Sequence, residues 1–308
     1  MDLKVTTKEI RDIITKRQKE FCISFIEDTH TYFMRDLDGE IKNTFPSVST
    51  VLKAFYNPFD STKTGAFKKC NGDTELEKQL LTEWKKTADY STNKGSRVHY
   101  ELEKELVRQY GSYKEVRQPI FECDDEQIYS GNQMIIAGKN YLKLMHDRGA
   151  ILLDTEIILG SPELGIVGQP DKVWLMIDKI GNIGFLVTDW KSNKEKNMSE
   201  EVMPWTLPLL SPFEFLNDNA LSHYRLQLPL YAKLLLKMLE GTKFENIKFF
   251  GCVIVHLMDD ATFKEYRVDK NITNIVMNMD VKYILNERDA HIKQHKYFEK
   301  RDQQIINS

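Results

Sequence analysis

Cysteine is scarce in this 308-residue chain, and Cys22, Cys70, Cys123 and Cys252 lie far apart with no Cys-x-x-Cys pair. That spacing indicates neither a zinc site nor a disulfide framework. No stretch approaches the roughly 18 to 20 apolar residues needed to cross a bilayer. The opening MDLKVTTKEIRDIITKRQKE has no apolar core of signal-peptide length. A soluble, intracellular protein with no membrane partner and no secretion signal is expected. A strong charge of one sign is missing too, since 43 basic residues face 46 acidic ones for a net charge of −3. This excludes the general basicity that announces a nucleic-acid partner, so any such binding must be local. Repeats, low-complexity tracts and a Gly/Pro-rich linker are likewise missing, and 41% hydrophobic residues suffice for a substantial core. A single domain spanning 1–308 is expected.

Residues 21–36, FCISFIEDTHTYFMRD, carry aromatic and β-branched residues on either side of EDTH and predict a hairpin, followed by a turn at DLDGE. In FPSVSTVLKAF, Ser47 is placed to N-cap a short helix. Residues 74–90 have helical periodicity, and a second helix is predicted to begin near Gly95 and stop at Gly111. On it His99, Leu102, Glu103 and Leu106 share one face. From about 150 the texture changes to strands: AILLDTEIIL, IVGQPDKVWLMI and IGFLVTDWK. A long helix, ALSHYRLQLPLYAKLLLKMLEG, precedes a buried strand, IKFFGCVIVHLM, and the remainder reads as a terminal helix. The sum is an α/β core of helix, three strands, helix and fourth strand.

The strand FLVTDWK begins apolar and ends in Asp189 and Lys191. Gly181 and Asn182 suit a turn back to the strand that starts near Asp171. If the hairpin centres between Ile180 and Gly181, Asp171 faces position 190; if it centres on Ile180, Asp171 faces Asp189. Either register brings the two aspartates close, and the two-residue period puts Asp189 and Lys191 on one face. Paired carboxylates with water access suit Mg²⁺ or Mn²⁺, and a lysine beside them can orient a water or offset developing negative charge. From Asp-Trp-Lys alone, strand-end residues with an exposed ion pair remain the ordinary reading. Acid-x-Lys also occurs at Asp2/Lys4, Glu40/Lys42, Glu83/Lys85 and Asp280/Lys282.

Four motifs in order set this copy apart. GQPD ends at Asp171, and DWK follows 18 residues later from Asp189 to Lys191. Gly95 and His99 form a Gly-x-x-x-His motif before them, and Gln227 and Tyr231 a Gln-x-x-x-Tyr motif after them. Together they resemble the PD-(D/E)XK nuclease superfamily, in its RecB-like exonuclease branch. FPSVSTVLKAF is similar, more weakly, to an element of phage-type and mitochondrial-genome-maintenance-type single-strand DNA exonucleases.

The resemblance covers roughly residues 95–258. It implies a restriction-endonuclease-like core there, with N-terminal hairpin and helical additions over 1–94 and a C-terminal helical extension over 259–308. It further implies a metal-dependent deoxyribonuclease holding Mg²⁺ or Mn²⁺ through His99, Asp171, Asp189 and the backbone carbonyl of Trp190, with Lys191 as catalytic lysine. Gln227, Tyr231 and Gly95 would support the site or contact DNA, and Glu103 and Glu156 are candidate supporting acids. The branch's iron–sulfur cluster is not expected, because only Cys252 lies beyond the core motifs. There is also no Gly-x-x-x-x-Gly-Lys-Ser/Thr loop for a helicase motor. Pro229 inside the Gln-x-x-x-Tyr helix predicts a kink.

For substrate, Lys191, Lys194 and Lys196 could follow a phosphate backbone, and Trp205, Phe213, Phe215 and Tyr224 could stack on bases or pack in the core. The long connection after DWK is predicted to overhang the site. The expected partner is DNA, with single-stranded ends preferred, in replication, repair or recombination and alongside proteins of those processes. A phage, plasmid, organellar or cellular setting fits equally. A structure-specific endonuclease and a non-catalytic DNA-binding scaffold are the alternatives.

Overall fold

A computed structural model describes residues 2–26, 31–110, 116, 118–119, 121–200 and 206–308. In chain order the elements begin with α1 (Leu3–Glu20), β1 (Ser24–Ile26), β2 (Thr31–Arg35), β3 (Ile41–Lys42), α2 (Val48–Leu52), α3 (Gly65–Lys68), α4 (Thr74–Tyr110) and α5 (Asp125–Asp147). They continue with β4 (Ile151–Thr155), β5 (Leu159–Ser161), β6 (Ile166–Gly168), β7 (Lys172–Ile177), β8 (Ile183–Lys191), α6 (Ala220–Leu239), β9 (Lys248–Leu257) and β10 (Phe263–Arg267). Helices α7 (Lys270–Asn278), α8 (Val281–Glu287) and α9 (Asp289–Asn307) close the chain.

The central sheet runs β10-β9-β8-β7-β4. Strands β4, β7 and β8 form an antiparallel meander, β9 joins β8 in parallel after α6, and β10 adds an antiparallel edge. Side chains alternate between two cores. Trp174, Trp190 and Val255 pack with Val98, Leu102 and Tyr141 of α4 and α5. Val173, Phe185, Val187 and Ile254 face α6, α1 and α2. The result is a mixed α/β sandwich with the sheet covered on both sides, which explains the near-continuous apolar run of β8.

Several expectations needed correction. The two helices predicted around 74–90 and 95–111 are one continuous α4 that passes through Gly95; Gly111 and the hairpin tip 27–30 lie outside the described residues. Helix α5 went unread, although Asp124 and Gln127 form a reciprocal capping box at its start. AILLDTEIIL and IVGQPDKVWLMI each break in two. The first bends at Glu156, whose φ of 47° is left-handed; β5 and β6 then pair with each other as a separate ribbon. The single terminal helix is three, each of α7 and α8 started by its own aspartate cap, Asp269 and Asp280. The sheet gains β10, beyond the boundary set at residue 258. Pro229 lies inside α6, as read. The hairpin of β1 and β2 and the Ser47 cap of α2 stand as read.

Candidate active site

Strand β8 lies between two neighbours, and its inward residues Phe185 and Val187 are fully buried. That anchoring fixes where its polar end emerges. Trp174 Nε1 donates to Thr188 Oγ1 at 2.9 Å, tying β7 to β8 one residue before Asp189. The register pairs Lys172 with Thr188, so Asp171 continues opposite Asp189, the second of the two registers considered. Asp171 is itself held on two sides. Its carbonyl accepts from Glu156 N–H and from Thr155 Oγ1, each at 3.0 Å. Its Oδ2 accepts the Trp190 N–H at 2.6 Å.

From the α4 layer His99 places Nδ1 3.6 Å from Asp171 Oδ2. Gly95, one turn earlier, explains why the helix can come so near, since a Cβ there would sit 3.0 Å from Ser192 Oγ. A larger residue would require the Ser192 side chain to shift. Glu156 reaches the same point from the bend after β4. Ligand atoms of His99, Glu156 and Asp171 lie within 4.8 Å of one another, a grouping open to a metal ion. The left-handed backbone of Glu156 costs energy for a residue with a Cβ. It is held by its own N–H to Asp171 and by Gln169 Nε2, which donates to the Glu156 carbonyl at 3.3 Å. Tyr32 OH completes the chain by donating to Gln169 Oε1 at 3.4 Å.

On the α6 side, Lys191 Nζ forms a close ion pair with Asp189 and lies 4.3 Å from the centre of the Tyr224 ring. Tyr224 OH donates to Asn193 Oδ1 at 3.1 Å, and the Asn193 carbonyl contacts buried His256 at 2.8 Å. The segment leaving β8 is thus tied to α6 and β9. A cleft of about 230 Å³, lined by Ser91, Gly95, His99, Lys191, Asn193 and Tyr224 among others, opens onto this lysine. Gln227 Nε2 donates to Tyr231 OH at 2.7 Å, so the motif pair bonds to itself. Tyr231 is buried against Gly168, where an added Cβ would lie 2.8 Å from its ring. That packing makes Tyr231 a brace beneath the GQPD segment.

The charges are arranged to pull the two carboxylates apart. Burial alone would raise the Asp171 carboxyl, but His99, Lys172, Lys191 and the Trp190 N–H outweigh it and hold it below the usual range. Asp189 goes the other way, raised by burial and then by Asp171, with Lys191 only partly offsetting them. Burial likewise lowers His99, against the opposing pull of Asp171, and keeps a neutral imidazole available as a ligand. Lys191 is raised above the ordinary lysine range, because Asp189 and Asp171 outweigh the effect of burial.

Asp171, Asp189, Lys191, His99 and Gly95 therefore gather as read, with differences in detail. Glu156, taken as a supporting acid, joins His99 and Asp171 directly, whereas Asp189 is engaged with Lys191 and lies outside that trio. Trp190 offers Asp171 its N–H, and its ring turns to the other face of the sheet. Glu103 is not among the gathered ligands. Lys194 and Lys196 are exposed and do not line the cleft. Phe213 is core, packed edge-on to Phe55 at 5.0 Å, while Phe215 is exposed. Among the described residues of the long connection, Met198, Leu209 and Phe213 are anchored in the core, while Ser192 and Asn193 at its start line the cleft. Trp205 and the rest of 201–205 lie outside the described residues. Lys172 was missed altogether. It is fully buried next to Asp171, with Nζ 3.5 Å from the centre of the Trp190 ring.

No family model matches this chain, and no curated protein gives a significant match. The site therefore has to be read from its own chemistry. Two carboxylates and one neutral imidazole with ligand atoms within 4.8 Å of one another form a donor set that fits a hard divalent cation such as Mg²⁺ or Mn²⁺. Among the described residues, no helix is long and apolar enough to cross a membrane.

Proposed function

We propose that this protein is a divalent-metal-dependent DNA exonuclease of RecB-like type, hydrolysing phosphodiester bonds from single-stranded ends in DNA replication, repair or recombination. The observation that carries this reading is the meeting of Asp171, Asp189 and Lys191 at one end of the sheet, with His99 and Glu156 arriving from two other elements. The order helix, antiparallel meander, helix, parallel strand supports a restriction-endonuclease-like core.

In this reading His99, Glu156 and Asp171 hold the cation, with Asp189 and the Trp190 carbonyl beside them. When bound, Mg²⁺ or Mn²⁺ supplies Lewis-acid polarisation of the phosphate and a more acidic water. Asp189, in contact with Lys191, is the carboxylate placed to accept a proton from the attacking water. Lys191 stays protonated and offsets charge developing on the phosphate oxygens. Tyr224 and Asn193 hold the segment that carries it. Tyr231 and Gln227 brace the GQPD turn from below.

The test is degradation of linear and circular single-stranded DNA by purified protein with Mg²⁺ or Mn²⁺, with Asp189→Asn and Lys191→Ala as comparisons. Linear strands are expected to be degraded by the wild type and spared by both variants. Cleavage of circles would replace exonuclease by endonuclease, and equal activity in all three proteins would remove the site.

A further inference from the structure

A groove of about 640 Å³ shares no lining residue with the Gly95 cleft. One wall is Thr31 and Tyr32 of β2 with the segment 43–50, which starts α2; the other is the α8–α9 region. Tyr32 links the groove to the site through Gln169, which bonds to Glu156. Its phenol is pushed up to about 12 by burial and by the Glu156 carboxylate. Segment 43–50 is joined to the strand before Asp171 by Val167 N–H donating to the Pro46 carbonyl at 3.2 Å.

The lining suits a single strand of DNA. The side chains of Asn43 and Thr44 are exposed polar groups in the lining, and Phe45 presents a half-buried ring on which an unpaired base can stack. Helix α9 contributes Lys293 and Lys296, and Lys300 continues their row one turn on; all three are exposed. The one acid in the lining, Asp289, is neutralised by Lys293 at 2.6 Å. A second cleft of similar volume, with Lys4, Lys8, Arg11 and His146, is richer in cations. It lies beside Ile151, at the end of β4 opposite the carboxylates, because Thr155 rather than Ile151 pairs with Lys172.

Resting on the nuclease reading above, we infer that the groove between Phe45 and Lys293/Lys296 carries the single strand on one side of the scissile phosphate, and that the Gly95–Tyr224 cleft carries it on the other. The strand would then cross the carboxylates between α4 and α9. The experiment measures binding of a fluorescent oligo(dT) by anisotropy in an Asp189→Asn background with Mg²⁺, at several salt concentrations. Lys293→Glu/Lys296→Glu is compared with Lys4→Glu/Lys8→Glu, which changes net charge equally at the other cleft. The groove pair is expected to weaken binding at least about tenfold and to lower the salt slope by about 1.4, two phosphate contacts at about 0.7 each for a single strand. The Lys4/Lys8 pair is expected to leave both quantities unchanged, and equal melting temperatures show that all variants are folded.

Equal weakening by both pairs, weakening by the Lys4/Lys8 pair alone, or no weakening by either overturns the groove while DNA degradation by the wild type still supports the nuclease. Groove-dependent binding by a wild type that degrades no DNA keeps the groove and removes the nuclease reading. A wild type that neither binds nor degrades DNA removes both.

Discussion

Lys191 and Lys172 stand on opposite faces of the same sheet end, both largely withdrawn from water, and their ammonium groups are driven in opposite directions. Lys191 meets Asp189 directly on the side facing the cleft and is raised. Lys172 is sealed under the Trp190 ring, 3.7 Å from Asp171 Oδ2, and burial takes it down to about 8 against the pull of Asp171, Asp189 and Glu156. Burial is common to the two; direct contact with an acid decides which way the proton equilibrium moves. One face is organised around a charge available to a ligand, the other around a charge folded into the core.

The comparison breaks most sharply in activity. Lys191→Met is expected to lower the rate of DNA degradation by ~10²–10⁴-fold, the range for losing a positioned proton-transfer or charge-stabilising group. Lys172→Met should lower it less than about tenfold, and a loss as large as that of Lys191→Met would show that the two faces are not separate in function.

The next effect is on stability. In metal-free protein the folded Lys172 releases its proton near pH 8, while an unfolded lysine keeps it to ~10.4. Between those values the unfolded chain binds more protons, so stability contributed at this residue rises with pH. Urea unfolding in EDTA should show the wild type gaining, from pH 8 to 10, on the order of 2 kcal/mol more than Lys172→Met. Parallel pH profiles would contradict a Lys172 whose proton affinity is lowered by burial.

Packing tests follow with smaller effects. Gly168→Ala sets a Cβ 2.7 Å from Val48 Cγ2 and 2.8 Å from the Tyr231 ring, and should cost about 1–3 kcal/mol of unfolding free energy by overpacking. Because Tyr231 braces the GQPD turn, activity should fall with it. Trp174→Phe, on the Lys172 face, loses the 2.9 Å bond to Thr188 and part of a fully buried ring that meets Tyr110 edge-on, and should cost at least about 1 kcal/mol, with activity retained.

How much was legible depends on how local each signal is. The apolar run of β8 with Asp189 and Lys191 two residues apart, the cap at Ser47, and the helical spacing of Gln227 and Tyr231 are contained within a few residues and were read correctly. Helix α5 was passed over because its polar start, DDEQ, resembles a loop until the capping box is noticed. Glu156 was read as part of one strand, because EIIL continues the apolar pattern while the backbone turns left-handed. Lys172 was not singled out, since nothing in GQPDKVW says that Trp190, 18 residues on, will cover it.

The sequence by itself determined the strand that holds Asp189 and Lys191, and the shared side of that pair, because a two-residue alternation needs no partner. The tertiary structure alone decided that Asp171 stands opposite Asp189, that Gly95 lets α4 bring in His99, and that Glu156 turns into the same space. Register and helix approach are fixed by contacts between segments tens of residues apart, through packing of Phe185, Val187, Trp174 and Trp190 into two different cores. The single-residue choice between the two hairpin registers changes what faces Asp171, and no local pattern distinguishes them.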